Sequence, residues 1–98
     1  MMATTQACLA LGLRVCGLME RGEVTIAHTT MLKAYVGEQA KDVTRLGREV
    51  CGGNGILLEN YVMKALLDVE PLSTGEGNYQ ISTLLVGRDL TGLSAFSR

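Results

Sequence analysis

The feature that most constrains this chain is a long helical stripe that ends abruptly in glycine. Leu32, Val36, Ala40, Val43, Leu46 and Val50 follow steps of three and four, which puts them on one face of a helix. The stripe predicts a helix from about Val24 to Cys51, the longest in the chain. Lys33, Lys41, Asp42, Arg45 and Arg48 fall largely off the stripe and are expected to face water or a neighbouring chain. Gly52-Gly53-Asn54-Gly55 then stops the helix, because this run favours turns and makes continued helix costly.

Three further segments read as helices. The first runs from about Thr4 to Glu20, with Leu9, Leu11, Leu13, Val15, Leu18 and Met19 covering more than one face. Arg21-Gly22 ends it, with Gly at a plausible C′ position. A third helix is expected from Glu59 to Val69, closed by Pro71. The last starts near Gly77 and carries Ile81, Leu84, Leu85 and Leu93, although Gly87 and Gly92 each weaken it by about 1 kcal/mol relative to Ala. One Pro, one Phe and no Trp suit helices better than aromatic-rich strands, and an apolar fraction of 47% makes a core feasible. The expected fold is all-α, a single antiparallel four-helix bundle over residues 1–98.

Several function classes are excluded by composition. Nine basic and ten acidic residues leave no field to steer nucleic acid or a membrane surface, and the basic residues lack aromatic interleaving. The apolar stretch from Ala7 to Met19 is broken by Gly12, Arg14 and Gly17 and falls short of the roughly 20 residues of a membrane span. Nothing basic precedes Arg14, so no signal-peptide n-region is present. Cys8, Cys16 and Cys51 form no CxxC pair, and on one helix Cys8 and Cys16 would lie about 12 Å apart, too far for a disulfide. They are expected to be small core thiols in a reducing, intracellular setting, with mitochondrion, peroxisome and bacterial cytoplasm undecided. The single His28 builds no metal site with scattered thiols and is expected to face solvent from a helix.

Two loops have the composition of sites. Cys51-Gly52-Gly53-Asn54-Gly55 could bring backbone amides close to an anionic ligand, or be a helix stop followed by an Asn-Gly turn. It matches neither the Walker nor the Rossmann glycine pattern. Ser73-Thr74-Gly75-Glu76-Gly77 sets a carboxylate between two glycines. Glu76 could act as a general base against an apolar pocket, or Ser73-x-x-Glu76 could form a capping box for the last helix. On spacing alone the cap is the stronger reading.

Taken in order, these motifs resemble the acyl-CoA dehydrogenases. Leu46 to Ile56 is similar to that family's Gly-Gly-Asn-Gly segment, and Thr74-Gly75-Glu76-Gly77 to its Tyr-Glu-Gly-Thr signature at a similar separation. Leu84 to Phe96 looks most like the glutaryl-CoA dehydrogenase and short-chain plant acyl-CoA oxidase branches. The resemblance implies a flavin-dependent oxidoreductase part that performs α,β-dehydrogenation of an acyl-CoA thioester. It gives Glu76 the role of catalytic base and places Gly77 beside the thioester. It implies that Glu49, Val50, Cys51, Gly52 and Gly53 touch the FAD of a neighbouring subunit, with Asn78, Tyr79 and Gln80 near FAD after the base. It also implies a homo-oligomer, dimer or tetramer, with the bundle at its centre.

Departures from the family pattern bear on particular contacts. Gly75 stands where most members have Tyr, Asn78 where Thr is usual, and Glu49 where Gln is common, so Glu49 is expected to point away from a pyrophosphate. The family's N-terminal helical domain and central β-domain have no counterpart in these 98 residues, so the chain is expected to be an inactive fragment by itself. The alternative is a non-catalytic helical oligomerisation module derived from the family.

Overall fold

The structure is a computed structural model, and it describes residues 1–96. Four helices follow one another: α1 (Met2–Glu20), α2 (Ile26–Val50), α3 (Val62–Thr74) and α4 (Tyr79–Thr91). Two short 3-10 turns, Gly52–Ile56 and Leu58–Asn60, join α2 to α3. The all-α, four-helix expectation is met, and α2 is its spine, with α1, α3 and α4 each packed on it.

Helix ends follow local chemistry. At the end of α1, Gly22 adopts φ +70° and donates its N–H to Met19 O, while the Glu23 N–H reaches Leu18 O. That is a Schellman closure, and it satisfies carbonyls the helix would leave open. At the start of α2, Thr25 Oγ1 accepts from the His28 N–H and His28 Nδ1 accepts from the Thr25 N–H, a reciprocal cap. His28 therefore lies on a half-buried helix end and closes it, rather than simply facing water.

The third helix departs from expectation at both ends. Glu59 falls in a 3-10 turn, and Tyr61 takes a left-handed φ of +33° that separates this turn from α3. Pro71 lies inside α3 instead of closing it. Pro has no N–H for the Leu67 carbonyl and its ring crowds that carbonyl, and Leu67 is 55% exposed there. The Pro71 carbonyl still accepts from the Gly75 N–H at 2.8 Å, so the helix runs on to Thr74.

The core is small. Val15 and Leu18 of α1, Ala34 of α2 and Val69 of α3 are the buried apolar residues, with Ser82 of α4 buried beside them. Two of the three thiols are not core residues: Cys16 and Cys51 are exposed and Cys8 is half-buried. The accessible surface is 6978 Å², against about 5,400 Å² expected for a compact monomer of this mass. The radius of gyration is 16.1 Å, against about 12.6 Å for a compact chain of this length. The excess reflects a slab 16 Å thick that leaves Leu13, Val50, Leu58, Leu72, Leu90 and Leu93 largely exposed. Apolar surface of that extent is typical of faces that partners cover. By length and composition alone α1 could cross a membrane, although Arg14 lies within it and Val15 and Leu18 bury a face in the bundle.

Candidate functional site

The segment from Ser73 to Asn78 joins the end of α3 to the start of α4. α3 ends at Thr74, Gly75 is extended at φ −63° and ψ 151°, and α4 restarts only after Asn78. Between them Glu76 has φ +58° and Gly77 φ +99°. Gly77 tolerates that conformation without a Cβ, whereas Glu76 is held in a region where L-residues are strained. A functional side chain in such a position is a recurrent property of sites.

The capping-box reading of Glu76 is not what the structure shows. Ser73 Oγ donates back to Glu70 O at 3.0 Å, inside its own helix. The cap of α4 is Asn78, whose Oδ1 accepts from the Ile81 N–H at 3.0 Å. Glu76 is thereby released from capping, and its side chain is exposed at the corner between α3 and α4. Replacing Asn78 by Ala should cost about 1 kcal/mol and lower Tm by roughly 4–8 °C. An unchanged melting curve would mean that α4 starts elsewhere.

Lys33, which the apolar stripe leaves on the polar side of α2, is half-buried and reaches the same loop. Its Nζ donates to Ser73 O at 3.3 Å and to Gly77 O. Sequence reasoning missed this residue, because an isolated Lys off a stripe carries no local signal of a partner some forty residues away. Gly37, one turn further along α2, completes the approach: a Cβ there would lie 3.4 Å from Ser73 Cβ.

Gly75 has a tight neighbour. A Cβ at this position would sit 3.0 Å from Pro71 O, so the aromatic residue usual in the resembling family could enter only if the backbone moved.

The glycine run divides by role. Gly52 is the C′ residue of α2, with φ +55°. Gly55 is buried, and a Cβ on it would fall 2.2 Å from Arg48 O. Gly53 has open space around its Cα. Asn54 donates its N–H to Cys51 O and accepts from both the Leu57 N–H and Asn60 Nδ2. The run is thus a helix stop followed by a braced 3-10 turn that contains Asn54 and Gly55.

Glu49, Val50, Cys51, Gly52 and Gly53 all lie exposed at one end of α2. The Glu49 carboxylate accepts from Arg45 at 2.7 Å, which engages its charge along the helix surface. Asn78, Tyr79 and Gln80 are exposed at the start of α4. The structure does not bring the two groups together. Lys33 marks the Gly77 end, and Val50 lies about 25 Å further along α2 at 1.5 Å per residue.

An apolar cleft of about 720 Å³ lies between α1, α2 and α3 and is lined by Cys8, Gly12, Leu32, Val36, Val69 and Leu72 among others. Glu76 is not among its lining residues.

The family model described as acyl-CoA dehydrogenase, C-terminal domain, matches residues 1–91. Among solved structures, the chain is similar to glutaryl-CoA dehydrogenase from Mycobacterium smegmatis, at 30% identity and a TM-score of 0.86. The likeness covers 91% of this chain and 23% of that one, so this chain spans less than a quarter of the length of the structure it matches.

Proposed function

Because the chain belongs to the acyl-CoA dehydrogenase family, matching its C-terminal domain over residues 1–91, we propose that it supplies the catalytic base and flavin contacts for α,β-dehydrogenation of an acyl-CoA thioester. The observation that carries this reading is Glu76 itself. It is freed from capping by Asn78, stands at a left-handed backbone position and faces outward beside Gly77.

In this role the Glu76 carboxylate removes the α-proton of the thioester, which the adjacent carbonyl acidifies. The β-hydride leaves the substrate at the same time, giving an enoyl-CoA and a protonated Glu76. Bound FAD supplies the acceptor for that hydride. Gly77 offers backbone beside the thioester without a side chain to obstruct it, and Asn78, Tyr79 and Gln80 line the adjoining turn of α4. The exposed Glu49–Gly53 segment serves a second flavin, that of a neighbouring copy, which fits the separation of the two groups along α2.

Among the described residues Glu76 is exposed to water and does not line the apolar cleft between α1, α2 and α3. Substrate enclosure and most of the flavin site must then come from polypeptide that packs on the exposed apolar faces. The same two observations favour the second reading, a helical oligomerisation module without catalysis.

A flavin titration separates them. By themselves these residues are expected neither to retain FAD stoichiometrically nor to turn over an acyl-CoA. Assembled with a flavin-bearing domain, they should give a yellow protein whose absorbance bleaches on adding acyl-CoA. Stoichiometric FAD on the isolated chain, bleached by acyl-CoA, would overturn the division of labour. An assembled flavoprotein that binds acyl-CoA without bleaching would favour the module.

A further inference from the structure

We propose that Lys33 is a positioning residue for Glu76: its ammonium clamps the loop on both sides of the base and fixes where the carboxylate points. The inference rests on the reading of Glu76 as base and adds a residue that no motif marks.

The geometry is specific. Ser73 O and Gly77 O, the two acceptors of Lys33 Nζ, lie three residues before and one residue after Glu76. Ser73 O belongs to the last turn of α3, where carbonyls lack helical donors and a cation meets the negative end of the helix dipole. Gly77 O belongs to the Gly77–Asn78 peptide, directly after two left-handed positions, since φ is +58° at Glu76 and +99° at Gly77. Among the described residues, these are the hydrogen bonds that tie the loop to α2, because its remaining bonds run to Pro71, Glu70, Ile81 and Ser82 within α3 and α4.

An ammonium suits this task better than a neutral donor. It presents several N–H bonds from one point, so a single group can bind two carbonyls, one from the end of α3 and one from the loop after it. The clamp is charge-assisted and half-buried, which strengthens it relative to a solvated contact. The same bonds offset the strain at Glu76, because leaving the left-handed region would swing the Gly77 carbonyl away from Lys33.

The test compares Lys33→Met and Lys33→Gln with the parent in the protein as expressed. Gln keeps a donor and guards against failure of Met to fold. Deuterium uptake across residues 74–79 should rise on the order of tenfold or more in both variants, while uptake in α1 stays at the parental level. In the flavin-loaded form, kcat should fall on the order of 10²-fold with KM changed far less, because misplacing a base by an ångström acts on the chemical step. Parental uptake in the loop would overturn the clamp. A mobile loop with parental kcat would overturn the positioning role. Loss of the base reading shows separately, as α-proton exchange that survives removal of the Glu76 carboxylate.

Discussion

Gly55→Ala should lower stability by about 2–3 kcal/mol, which for a chain of this size lowers Tm by roughly 10–20 °C. The added Cβ would sit 2.2 Å from Arg48 O and 3.1 Å from its carbonyl carbon. Both are backbone atoms of the last turn of α2, so no side chain can swing aside to make room. Either α2 unwinds its final turn or the 3-10 turn lifts away from it. Both movements displace the exposed Glu49–Gly53 surface as well. Gly53→Ala is the matched control: its φ is ordinary and nothing lies within 4 Å of the added carbon, so a change within about 0.5 kcal/mol is expected. Urea or thermal unfolding of the two variants decides the matter. Equal stabilities would mean that the close approach of Gly55 to Arg48 does not exist in solution.

This contrast shows what the glycine run encodes. Read as letters, Gly52, Gly53 and Gly55 look equivalent, and all three could serve a ligand. In three dimensions Gly52 closes a helix, Gly55 packs against one, and Gly53 alone has both ordinary φ and free space. The helices themselves were legible, because a stripe from Leu32 to Val50 leaves little choice of period. Pro71 misled because the rule that ends a helix before proline rests on a steric preference of the preceding residue, and Glu70 stays helical here. The cap was misassigned for a related reason. Ser73-x-x-Glu76 and Asn78 both offer capping chemistry, and only the left-handed turn at Glu76 and Gly77 settles which one meets the helix. Such a turn at a non-glycine residue depends on tertiary contacts, here those of Lys33, and a local pattern cannot carry it.

Glu76→Gln should leave the fold intact and lower α-proton exchange of an acyl-CoA thioester by about 10²–10⁴-fold in the flavin-loaded assembly that contains this chain. The substitution keeps side-chain size and removes the proton acceptor. Stability should move by less than about 0.5 kcal/mol, since the side chain is exposed and caps no helix. A second variant tests why the residue is there at all. Glu76→Gly relieves a φ of +58° and should stabilise the chain by about 1 kcal/mol, a Tm gain of roughly 4–8 °C, while losing exchange as completely as Gln does. A site that gains stability when its residue is removed is one where the backbone would accept glycine and the side chain is kept for chemistry. Exchange retained in Glu76→Gln would place the base on another residue. A Gly variant no more stable than the parent would mean that Lys33 and Gly77 hold the turn without strain, and the structural case for Glu76 would then rest on its place beside Gly77 alone.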